Sequence, residues 1–300
     1  MQPTRRAFLI GRRPRPDDAW TRLLAALRRV CEGELETAGL PPGQARYAPA
    51  RAADVRLART LCAEHGVRLG LAGLRPLPQA DPAPTLWVDP GVSLTGLAPV
   101  DAGPGLWRAE AGCPLGALQA AGFAQFDGLP AGQTLAAWLS GEDTRRLCAP
   151  GRCMDSGVQA VAALLADGTP ATLGPFGERD RQPLRGAALQ RLVPALFELA
   201  MGQDAQLCLA QPAWPAHGRL DALRPAPPAG VNLAHLLLGQ AGSLAWVEAA
   251  LLQPCRGGPA VAATQHENAP VQAAASRMNA ACKRLFDPAG LFPPLPARSS

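Results

Sequence analysis

The spacing of apolar positions changes several times along the chain, and each change marks an element. Leu23, Leu24, Leu27 and Val30 recur at helical spacing, and Asp17 or Asp18 stands where an N-cap belongs, which predicts a helix over about 19–31. A Pro/Gly-rich link at 39–44 follows. Arg46-Tyr47-Ala48-Pro49 then reads as a short strand, and Val55, Ala58, Leu61 and Cys62 define one side of a helix over 52–65. Gly66 ends that helix, and Val67–Gly73 continues as a strand running into a glycine turn. The first unit is therefore β–α–β. Leu86-Trp87-Val88-Asp89 and Leu106–Ala111 read as further strands, the second leading through Gly112-Cys113-Pro114 into a short helix. Val158–Ala166 has strand length, Asp167-Gly168 favours a type I′ turn, and Thr169–Gly174 returns, which predicts a β-hairpin at 158–173. Leu189, Leu192, Val193, Leu196, Phe197 and Leu199 predict a helix over 186–201. A Leu-rich run containing His235, a strand carrying Glu248 and a helix over 271–286 complete the series.

Three hundred residues allow one large domain or two ordinary ones, and a hydrophobic fraction of 48% supports a sizeable core. The net charge of +5 is modest and the arginines are scattered. Aromatics are only 5%, with the single Tyr47, so no stacking platform for single-stranded nucleic acid is present and nucleic-acid binding is disfavoured. None of the eight cysteines forms a C-x-x-C pair, and the closest two are Cys148 and Cys153. That spacing argues for free or buried thiols in a reducing cytosol and against a metal or iron–sulfur site. Thr4-Arg5-Arg6-Ala7-Phe8-Leu9 has the look of a twin-arginine export core, but Arg12-Arg13-Pro14-Arg15-Pro16-Asp17-Asp18 follows in place of an apolar region, so export is rejected. The most apolar stretch, Leu233–Leu252, contains Gln240, Gly242 and Glu248 and does not read as a membrane span. A cytoplasmic location is expected, at most peripheral to the inner membrane through partners.

Several segments, in order, resemble one family. Thr134-Leu135 with two small residues, Gly151, Asp155 and a strand ending in Ala166-Asp167-Gly168 look like the second half of the FAD-binding domain of the vanillyl-alcohol oxidase / p-cresol methylhydroxylase (PCMH) type. The β–α–β unit ending at Gly70–Gly73 is similar to the start of that domain. Gly230-Val231-Asn232-Leu233 and Leu238-Gly239-Gln240-Ala241-Gly242-Ser243-Leu244 resemble the family's later segment, most closely in the flavin subunits of glycolate, D-lactate and D-2-hydroxyglutarate dehydrogenases. Phe286-Asp287-Pro288-Ala289-Gly290-Leu291-Phe292 resembles its C-terminal motif.

The resemblance implies an α+β fold of two subdomains, without the cap or substrate domain of larger relatives. It implies an N-terminal extension with one helix over 1–44, the flavin domain over 45–255, and a C-terminal helix and tail over 256–300. It assigns FAD contacts to Gly70, Ala72, Gly73, Thr134, Leu135, Ala136, Ala137, Gly151, Asp155 and Val161, and it identifies no metal ligand and no catalytic residue. A larger flavin subunit and an iron–sulfur subunit are the implied partners. Against the family pattern, Leu74-Arg75-Pro76-Leu77-Pro78 follows the glycine turn, Ala136-Ala137 replaces Gly-Gly, and Ser140-Gly141-Glu142-Asp143 brings carboxylates beside Arg145, Arg146 and Arg152. Prolines remove N–H donors that a phosphate cradle needs. Two readings follow: an FAD-binding subunit of a 2-hydroxyacid dehydrogenase, or a non-catalytic protein of the same fold serving as an interaction or scaffold subunit. His235, alone in its leucine-rich run, reads as structural.

Overall fold

The computed structural model describes residues 18–74, 83–101, 105–142, 144, 147–177, 184–255 and 268–296. The Arg5-Arg6 segment lies outside them. The chain is α+β and carries two main sheets.

The first unit opens with helix α1 (Ala19–Val30), capped by the Asp18 carboxylate, which accepts from Thr21 N at 2.7 Å. The same hydrogen bond holds the Asp18 carboxyl below the usual carboxylate range. Leu23 and Leu27, one turn apart, are buried against helix α2 (Ala52–His65). Four strands make the sheet: β1 (Gly33–Glu36), β2 (Gln44–Pro49), β3 (Arg68–Leu71) and β4 (Thr85–Val88), in the order β1-β2-β4-β3. β4 enters in parallel between β2 and β3, while β1 runs antiparallel along β2. The sequence pattern missed β1, whose residues are mostly exposed. Gly66, with φ +63, closes α2 in the left-handed conformation expected of a glycine there. The outer side of β3 is covered by the C-terminal segment, Leu69 N donating to Leu291 O at 2.9 Å.

Gly70 lies beside Trp87 in the parallel register, and a Cβ added to it would sit 2.4 Å from the indole ring. The indole is fixed by its Nε1–H, which donates to Gln44 Oε1 at 3.1 Å. Gly70→Ala is therefore expected to destabilise the protein by about 1–3 kcal/mol through overpacking. In a Trp87→Leu background the same substitution is expected to lose most of that effect, which a thermal-melt double-mutant cycle measures.

The second sheet holds β5 (Leu97–Pro99), β6 (Trp107–Glu110), β7 (Val158–Leu164), β8 (Pro170–Leu173) and, after the two-residue pair of β9 (Pro175–Phe176) and β10 (Val231–Asn232), the central strand β11 (Trp246–Leu252). All its pairings are antiparallel, in the order β5-β6-β11-β7-β8. The hairpin of β7 and β8 matches the expectation from sequence, but its turn does not. Gly168 takes φ +89 whereas Asp167 does not enter the left-handed region, so the turn is not type I′. The Asp167 carboxylate accepts from Thr169 N at 2.8 Å, and that bond selects the alternative geometry. In β11 a bulge between Val247 and Ala249 leaves Glu248 outside the ladder with β7. Its carboxylate receives both Arg56 Nε and Nη2, at 2.7 and 2.8 Å, and so ties α2 to the second sheet. Arg59 adds two bonds to Ala166 O.

Short helices α3 (Leu115–Ala120) and α4 (Leu135–Ser140) flank this sheet, and α5 (Ala187–Met201), α6 (Gln203–Leu209) and the long α7 (Ala269–Phe286) pack on one another. Among the described residues no helix is long and apolar enough to cross a membrane.

Candidate functional site

Two of the segments assigned to the flavin meet a third, unassigned one, the turn at 239–243, which touches both. The first is the turn after β3. Ala72 N donates to Val88 O at 2.9 Å, and Gly73 follows with φ +80 and no described residue within 4 Å of the place of a Cβ. In the turn at 239–243, Gly239, Ala241 and Gly242 have φ of 69°, 60° and 66°. Ala241 is the only described non-glycine residue in that region, a strained conformation for alanine. Leu71 and Leu74 pack against Gly242, where an added Cβ would lie 3.5 and 3.3 Å from them. Gln240 braces the turn from inside, accepting from Leu244 N and Ala245 N and donating to Ala245 O. Gly239 N and Ala241 N cap α4 by donating to Leu139 O and Ser140 O, both at 2.8 Å.

Helix α4 is the other assigned segment. The first backbone N–H groups of a helix have no partner within it and are the natural donors to a phosphate. Here the chain itself takes them. Leu135 N donates to Cys113 O, Ala136 N to Ala111 O and Ala137 N to Thr134 Oγ1, at 2.8, 2.9 and 3.2 Å. Ala136 and Ala137 are 1% and 2% exposed, so the surface assigned to the flavin is already covered by protein.

The remaining assigned positions lie elsewhere. Gly151, with φ +76, donates its N–H to Asp221 Oδ2 at 2.8 Å, under the chain segment carrying Arg224 and Ala226. Asp155 is drawn aside by Arg152 at 2.9 Å. Val161 is a core residue of β7, opposite Ala250 and Leu173. Pro76, Pro78, Asp143, Arg145 and Arg146 lie outside the described residues. Of the assigned glycines, Gly73 alone has no described residue within 4 Å of the place of a Cβ, and the segment at 75–82 that follows its turn lies outside the described residues.

A buried polar cluster that the sequence pattern did not reveal lies around Gly151. Arg219 and Asp221 form an ion pair with both side chains fully buried. Arg219 also donates to Cys148 O and Ala149 O, each at 3.0 Å. Burial pushes the Cys148 thiol up to about 12 and raises the Cys153 thiol well above its usual range, which leaves both protonated and poor nucleophiles. Among the described residues no group of His, Cys, Asp and Glu is arranged to hold a metal ion, and the described cysteines are all free.

His235 belongs to the same region. Its Nε2–H donates to Val158 O at 2.8 Å, and burial lowers its pKa to about 4. That places it in the core as a neutral ring, in keeping with the structural role expected of it. The unfolded chain takes up a proton at this ring below about pH 6.5, while the folded chain resists until about pH 4. Stability from this residue is therefore complete above pH 6.5, falls with pH through that window and levels near pH 4. Up to about 3 kcal/mol is at stake. Chemical denaturation of the wild type and His235→Gln across pH 7 to 4 is expected to show a shallower acid decline in the variant.

No family model matches the chain, and no curated protein matches its sequence. Among solved structures it is similar to a solvent-stable cholesterol oxidase, at 17% identity and TM-score 0.40, over 74% of this chain and 38% of that one. It is also similar to a variant of BBE-like 1 of Physcomitrella patens, at 13% identity and TM-score 0.44, over 77% and 44% of the two chains. A glucooligosaccharide oxidase of Acremonium strictum matches at 14% identity and TM-score 0.42, over 80% and 43%. The chain spans less than half the length of each.

Proposed function

We propose that this chain is a subunit of a flavin-linked oxidoreductase of the 2-hydroxyacid type, acting on a substrate such as glycolate or D-lactate. In this reading it supplies an interaction surface, and the redox chemistry resides on a larger flavin subunit and an iron–sulfur subunit. The order of the resembling segments supports the family. The observation that carries the non-catalytic role is helix α4, whose N-terminal donors are engaged by Ala111, Cys113 and Thr134 and whose Ala136 and Ala137 are covered.

A second reading, in which the chain holds FAD itself, is favoured by the positive-φ Gly73 turn, where no described residue stands within 4 Å of the place of a Cβ. Bound FAD would supply hydride acceptance from the substrate.

Gel filtration of the purified chain with FAD, followed by absorbance and thermal melting, separates the two. The non-catalytic reading expects no flavin bands with the protein and no change in melting temperature. Flavin that co-elutes and raises the melting temperature establishes the second reading instead. The assembly is tested by native purification from the source organism, where the chain is expected to co-elute with flavin and iron–sulfur absorbance. A chain that elutes alone overturns the assembly.

A further inference from the structure

The Asp221 carboxylate is held as a bound anion would be. Gly151 N donates to Oδ2 at 2.8 Å, Arg219 Nη2 to Oδ2 at 2.6 Å and Arg219 Nε to Oδ1 at 2.8 Å, with the Cys153 thiol 3.6 Å from Oδ2. Gly151 and Cys153 stand 70 and 68 positions away from Asp221 in the sequence. They belong to one turn, and that turn also positions the cation, because Cys148 O and Ala149 O orient the Arg219 guanidinium. A simple ion pair between residues two apart would need none of this. A positive-φ glycine N–H, a thiol and a fork of guanidinium donors around one carboxylate form an oxyanion receptor, and it is entirely buried.

We infer that the turn at 148–153, together with Arg219, is an oxyanion cradle that the chain fills with its own Asp221. The carboxylate arrives on the 3-10 turn Leu220–Leu223, and Ala226 N donates to Gly151 O at 2.9 Å, fastening that segment over the cradle. While it is seated, an external carboxylate or phosphate is excluded. The cradle's own specificity is for a small oxyanion, because its donors are backbone and guanidinium N–H groups fixed in a space the size of one carboxylate.

The test vacates the cradle without disturbing its donors. Asp221→Ala removes the carboxylate and leaves a space matched by formate, which serves as the probe. Its melting temperature is expected to rise with formate and saturate about 5 °C above its value in chloride of equal ionic strength. The wild type is expected to melt alike in the two salts. So is Asp221→Asn, whose amide still fills the space, and so is Arg219→Met/Asp221→Ala, which lacks the cation. An Asp221→Ala protein that melts alike in formate and chloride overturns the inference. So does one that stays unfolded in formate, acetate and phosphate alike. An equal formate response from Asp221→Asn also overturns it, since binding then occurs elsewhere.

Discussion

The Lys283→Met protein is expected to unfold with about 3–5 kcal/mol less free energy than the wild type, because a buried carboxylate loses its cation. Lys283 lies in the last turn of α7 and its ammonium reaches four oxygens. These are Asp287 Oδ2 at 2.6 Å, Ser243 O at 2.7 Å, Phe292 O at 3.0 Å and Pro293 O at 3.2 Å. The Asp287 side chain is fully buried and also accepts from Leu291 N and Phe292 N, each at 2.8 Å. One cation therefore joins the end of α7, the tail after it and the turn that lies against the Leu71–Leu74 segment. Methionine keeps most of the volume of the stem and removes the charge, so the loss reports the charge rather than a cavity. Urea denaturation at pH 7 measures it. Hydrogen exchange at the Leu291 and Phe292 amides is expected to accelerate by the same free energy if the tail is released. Unchanged stability would show that the hub contributes only geometry.

The Arg219→Leu protein is expected to lose a comparable amount, about 3–5 kcal/mol, because Asp221 would be left charged in the interior. Carbonyl oxygens at Cys148 and Ala149 would also lose their donor. Removing both charges in Arg219→Leu/Asp221→Leu is expected to recover a good part of the loss, since it is the unpaired ion that is costly. Guanidinium denaturation of the single and double variants gives the comparison. A double variant no better than the single one would assign the effect to packing of the 148–153 turn.

Much of the architecture was legible in the sequence, for identifiable reasons. α1, α2, α5 and α7 carry apolar residues at helical spacing, and the hairpin of β7 and β8 combines an apolar run with Asp-Gly. β1 was not legible, since Gly33-Glu34-Leu35-Glu36 has almost nothing to bury. It forms because β2 offers it a partner in space, with Gly33 at φ +130 passing so near Ala48 O that a side chain could not be placed there. Of the candidate site, the sequence order brings out the segments themselves, while their link through the 239–243 turn, which touches Leu71, Leu74 and the end of α4, comes from the structure. So does its closure, since it depends on carbonyls of Ala111 and Cys113 reaching the N-terminus of α4. The Arg219–Asp221 cluster is equally silent in the sequence, because its receptor side comes from a distant turn with no pattern of its own.

The pairing of Leu69 with Leu291 has a consequence for how the molecule is made. β3 leaves the ribosome well before Leu291, the group that covers its outer edge. Through most of synthesis that edge carries backbone donors and acceptors with no partner from its own molecule, the condition under which nascent chains pair with one another. A chain halted before Leu291 is expected to associate during translation more readily than one that includes it, which cosedimentation of stalled ribosome complexes measures.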